Sequence, residues 1–147
     1  MRDTRDVVRF VLLAALLGCS GSSKPAPASP ATPVAHDDPT CPVLVAGTSI
    51  TVEDTDGGAA FVFVTTGDAA AVRTRANALA EMHNAHAGSG HEMGHMIATK
   101  STAASSELPN GARVTFTAAS PGEAGALQSE LRMHAQHLAG GTCEMAM

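Results

Sequence analysis

One short pattern is written twice in this chain, and the spacing of the two copies limits what the chain can fold into. MHNAHAGSGHEMGHM runs from Met82 to Met96, and MHAQHLAGGTCEMAM runs from Met133 to Met147. Met82, His83 and His86 recur 51 residues later as Met133, His134 and His137. His91-Glu92-Met93 recurs one residue out of step as Cys143-Glu144-Met145. A unit of that length holds a hairpin and a helix. An isolated hairpin is marginal in water and one helix cannot cover it alone, so two such units are expected to share one core.

The hydropathy pattern says what each unit contains. Thr48 to Thr55 alternates apolar Ile50 and Val52 with polar neighbours, which predicts a half-buried strand. Asp56-Gly57-Gly58 reads as a hairpin turn with glycines at positive φ, and Ala59 to Thr65 as a return strand apolar on both faces. Asp68 to about Ala87 predicts a helix. In it Val72, Ala76, Leu79, His83 and His86 form one stripe at helical spacing. The second unit predicts a weak strand over Ala103 to Leu108, a type I′ turn at Asn110-Gly111, and a return strand over Ala112 to Ala118. A helix then opens at Ser120-Pro121, carries the stripe Leu127, Leu131, His134 and Leu138, and stops at Gly140-Gly141. The expected fold is α+β: two ββα repeats, about residues 48–99 and 100–147, forming a four-stranded antiparallel sheet with two helices on one face. A βαββαβ order is the competing topology if the tail after Cys143 adds a strand.

The N-terminus is read as an export signal. Arg2, Arg5 and Arg9 precede an apolar run from Phe10 to Leu17, too short for a stable membrane-spanning helix. It ends in Leu16-Leu17-Gly18-Cys19, which resembles the lipobox of bacterial lipoproteins. The resemblance covers residues 1–19 and implies that Cys19 is acylated and becomes the mature N-terminus, an anchor in the lipid bilayer. Ser20 after the cysteine, rather than Asp, implies the outer membrane, with the chain facing the periplasm. Residues 20–40, almost wholly Ser, Pro, Ala, Thr and Gly, read as an extended tether. Residues 41–147 are left for a single domain.

Charge narrows the partners. Beyond Cys19 the chain has six basic and twelve acidic residues, a balance of −6 that argues against nucleic acid. With no Trp or Tyr, stacking platforms for bases or sugars are not expected either. Cys41 and Cys143 are the cysteines that remain. As ligands they would add thiolates. As a disulfide they would pin the start of the domain to its end, and an exported compartment favours the disulfide.

The chemistry lies in the two clusters. Six of seven histidines and six of seven methionines fall inside them. Imidazole, thioether and thiol bind soft and borderline metals, and thioether sulfur suits Cu(I) in particular. One such residue alone is better explained as a packed core residue, but the clustering is not. The candidate ligands are His83, His86, His91, Met93 and His95 for one site, and His134, His137, Met145 and, if reduced, Cys143 for a second. The implied cofactor is copper, with zinc possible at the histidines, and the implied role is a copper buffer or chaperone. Binding to imidazole needs its neutral form, so affinity is expected to fall below pH of about 6.5. His91-Glu92-Met93-Gly94-His95 also resembles the H-E-x-x-H signature of zincin metalloproteases, which implies Glu92 as a general base. Gly88-Ser89-Gly90 stands where that helix needs support, and only Glu107 or Glu123 offers a third ligand. An envelope scaffold without metal is the remaining alternative.

Overall fold

The computed structural model describes residues 37–87, 97–141 and Cys143. The described residues belong to one compact unit. The N-terminal segment with Cys19, the stretch carrying His91, Glu92, Met93 and His95, and the tail with Met145 lie outside the described residues.

Strand β1 (Thr48–Thr55) and strand β2 (Gly58–Thr65) make the first hairpin. Helix α1 (Ala69–His86) follows, then β3 (Ser101–Leu108), β4 (Gly111–Ala118) and α2 (Ala124–Ala139). The strands form one antiparallel sheet in the order β1-β2-β4-β3, with β2 and β4 paired at the centre. This is the expected α+β arrangement: α1 packs on β3 and β4, and α2 on β2 and β1. Each helix therefore covers chiefly the hairpin that it does not follow. The helices run antiparallel. The N-terminal half of α1 is held at the β3–β4 turn, where Arg73 donates to the carbonyls of Leu108, Pro109 and Gly111. That of α2 is held at the β1–β2 turn, where Gln128 donates to the Thr55 carbonyl.

Local chemistry explains the elements. Asp68 caps α1, its carboxylate accepting from the amides of Ala70 and Ala71. Pro121 starts a 3-10 turn, Pro121–Glu123, that leads into α2. The core lies between sheet and helices. Phe61, Phe63, Val114 and Phe116 project from the central strands onto Val72, Ala76, Leu79, Leu127, Leu131 and Leu138. The Phe61 and Phe116 rings meet edge to face at 5.2 Å.

The turns differ from expectation. The register places Asp56-Gly57 and Pro109-Asn110 at the two corners, because Thr55 pairs with Gly58 and Leu108 with Gly111. Proline locks φ near −65°, so Pro109 at a corner is incompatible with the type I′ turn expected at Asn110-Gly111. Neither Gly57 nor Gly58 has positive φ. Gly111 does, with φ 158°, and Gly58 and Gly111 share a steric reason as well. A Cβ on Gly58 would stand 2.3 Å from the Phe116 carbonyl oxygen, and one on Gly111 would stand 1.9 Å from that of Phe63. Both close the seam between the central strands.

Candidate metal centre

The sheet registers set a frame for comparing the two histidine pairs. Thr48 pairs with Thr65 and Ser101 with Ala118, so the hairpins correspond at an offset of 53 residues, and Phe61 lies opposite Val114 at the centre. The helices correspond at an offset of 55. Arg73 reaches Leu108 as Gln128 reaches Thr55, and the buried residues Val72, Ala76 and Ala80 match the buried residues Leu127, Leu131 and Ala135. The histidines recur at 51. They are slipped by four residues, about one helical turn, relative to the fold. His83 occupies the place of Leu138, and His134 occupies the place of Leu79. The expected equivalence of the two histidine pairs therefore does not hold in three dimensions, although a four-residue slip keeps each on the same side of its helix.

That slip gives the four histidines four different surroundings. His83 is 6% exposed. Its Nε2–H donates to the Ser101 carbonyl at 3.2 Å and lies 3.1 Å from Ser101 Oγ, which in turn donates to the Thr99 carbonyl. The ring meets Phe116 edge to face at 5.1 Å. Burial pushes the His83 pKa below its ordinary value, against the opposing effects of the Ser101 hydrogen bond and the Glu130 charge. His83 is thus a neutral core histidine with a partner, not the inner half of an open bidentate pair. His86, at the end of α1, donates from Nδ1 to the Met82 carbonyl at 2.8 Å, which leaves the ring lone pair on Nε2. His134 Nε2 stands 4.0 Å from Glu130 Oε1, and both side chains are largely covered. His137 is exposed in the last turn of α2.

Glu130 and Arg75 hold the segments that lead into the two hairpins. The Glu130 carboxylate accepts from the amides of Ala98 and Thr99. Arg75, at the corresponding position of α1, donates to the carbonyls of Asp38 and Cys41 and pairs with Asp37. An anion takes amides in one half and a cation takes carbonyls in the other. Sequence patterns gave no sign of either strap, because each reaches backbone far away in the chain.

Cys41 and Cys143 are joined as a disulfide with Cα atoms 6.0 Å apart. Cys143 therefore supplies no thiolate to a metal while that bond stands, and the second expected site is reduced to His134, His137 and Met145. Of the two carboxylates considered as third ligands for the H-E-x-x-H motif, Glu107 lies six residues down β3 from Ser101, about 20 Å at strand rise, beside Arg73. Among the described residues no three His, Cys, Asp or Glu side chains converge as a metal cluster, and no helix is long and apolar enough to cross a membrane. The chain matches no family model, no curated protein and no solved structure.

Proposed function

We propose that this protein is a metal-binding lipoprotein, anchored through acylated Cys19 in the outer membrane and facing the periplasm, which buffers copper or hands it on. The observation that carries the reading is the confinement of nearly all histidine and methionine to two clusters, each beginning in the last turns of a helix. A helix C-terminus carries partial negative charge and favours a cation. The first site takes His86 with His91, Met93 and His95, and His83 stands behind it as the residue that holds α1 to β3. The second takes His134 and His137 with Met145, joined by Cys143 only when reduced. Copper is favoured over zinc because thioethers bind Cu(I) well. Residues 20–40 give the domain reach from the bilayer.

The test is metal analysis and Cu(I) titration of the purified protein. His86→Gln with His91→Gln should lower stoichiometry or affinity. Wild-type protein that yields all its copper to a moderate chelator would end the reading. Chelator-sensitive peptide cleavage that disappears in Glu92→Gln while metal stays bound would instead establish the protease alternative.

A further inference from the structure

The sheet has two edges, and the fold treats them differently. In β3 the carbonyl of Lys100 accepts from the Ala119 amide, so even-numbered residues bond towards β4 and odd-numbered ones turn their backbone groups outward. Helix α1 meets those outward groups. The Asn84 side chain accepts from the Ala103 amide and donates to the Ala103 carbonyl, and the Ser101 carbonyl accepts from His83. Asn84 thus takes the place of a neighbouring strand and closes that edge.

Strand β1 has the same need and no such cover. The Gly47 carbonyl accepts from the Thr66 amide, so odd-numbered residues bond towards β2, while Thr48, Ile50, Val52 and Asp54 turn outward. At the offsets of 53 in the sheet and 55 in the helices, Ile50 matches Ala103 and Ala139 matches Asn84. An alanine side chain neither donates nor accepts. The Thr48 amide is used by the Val45 carbonyl. Among the described residues nothing bonds to the outward amides and carbonyls of Ile50, Val52 and Asp54. Such a row is a template for another strand.

We propose that the edge of β1 receives β1 of a second copy, antiparallel about a twofold axis at Thr51, so that two sheets join into one of eight strands. The strand is complementary to itself in that register. Ile50 comes opposite Val52 and Thr51 opposite Thr51, pairs that favour strand association. Thr48 comes opposite Asp54 and Ser49 opposite Glu53. Charge fits the same arrangement. Glu53, Asp54 and Asp56 lie at one end of the strand and residues 43–49 carry no charge, so each acidic end faces a neutral one. Glu53 and Asp54 are also paired within their own copy, with Arg113 and Arg132. The segment before the domain suits this edge less well, because Pro25, Pro27, Pro30, Pro33 and Pro39 have no amide to donate. The inference does not depend on the metal reading.

The test uses the full chain in detergent. Thr51 is exposed and on the opposite side of β1 from Ile50 and Val52, so replacing it leaves the core intact. In the proposed register the two Thr51 residues form a non-hydrogen-bonded pair with Cα atoms about 4.5 Å apart. A disulfide spans roughly 4.4–6.8 Å. Thr51→Cys, oxidised with diamide, should therefore run as a covalent dimer on a non-reducing gel. Thr102→Cys, exposed on the closed β3 edge, should give no more dimer than wild type. Thr51→Lys sets two like charges face to face and should raise the dimer dissociation constant, read by sedimentation equilibrium, by about fivefold or more. Wild-type protein that stays monomeric at every concentration reached overturns the inference. So does a Thr102→Cys cross-link as strong as that of Thr51→Cys, or a Thr51→Lys protein that dimerises like wild type.

Discussion

Gly58 and Gly111 stand 53 residues apart and face the same obstacle, a carbonyl oxygen of the partner strand where a Cβ would be. His83 and Leu138 stand 55 apart at matching positions in the two helices, and one is a polar ring while the other is aliphatic. The sheet halves obey one rule and the helices do not. The difference follows from what each element must satisfy. Strand pairing is set by backbone hydrogen bonds and by register, which leave no room for drift. A helix satisfies its own backbone and asks only for an apolar stripe, so a four-residue slip of its side-chain pattern still packs.

The largest expected effect is at the disulfide, which ties the start of the first half at Cys41 to the end of the second at Cys143. Cys41→Ser with Cys143→Ser frees a loop of about 100 residues and should cost roughly 2–5 kcal/mol in denaturant unfolding. Next come the glycines. Gly58→Ala and Gly111→Ala should each cost about 1–3 kcal/mol from forced shifts at the central seam, with Gly111→Ala the larger because its φ of 158° also disfavours a side chain. A larger loss at Gly58 would show that the steric obstacle alone does not set the order.

The straps should separate the halves again. Glu130→Ala removes the acceptor of two amides and should cost about 1–3 kcal/mol. Arg75→Ala should cost less, about 1 kcal/mol, since the Asp38 and Cys41 carbonyls still accept from the amides of Cys41 and Leu44. The smallest effect is a matter of pH. The pKa of folded His83 is depressed by burial, so the unfolded chain takes up that proton first. The His83 contribution is intact above pH of about 6.5 and declines as pH falls through that value towards the lower folded pKa. His83→Leu, which copies Leu138, should flatten this part of the stability profile between neutral and mildly acid pH, as read by unfolding at a series of pH values.

Much of the fold was legible in the residues. The alternation of Ile50 and Val52, the Asp68 cap and the leucine stripe of α2 are local signals, and each lies where expected. The turns were misread because Gly58 and Gly111 answer to strands far away in sequence, while the corner residues themselves are unremarkable. The candidate site was legible as a list of side chains and not as an arrangement. His83 and His134 share their neighbours in sequence, yet one is sealed against Phe116 and Ser101 and the other rests on Glu130.

The sequence by itself determined the type, order and approximate bounds of the strands and helices, their stripes, and the presence of two soft-ligand clusters. These follow from periodicity and composition within a few turns of chain. Only the tertiary structure decided which histidine is core and which is surface. That depends on the angle and depth at which each helix meets the sheet, and a shift of one turn leaves the stripe intact while exchanging His for Leu at the same buried place.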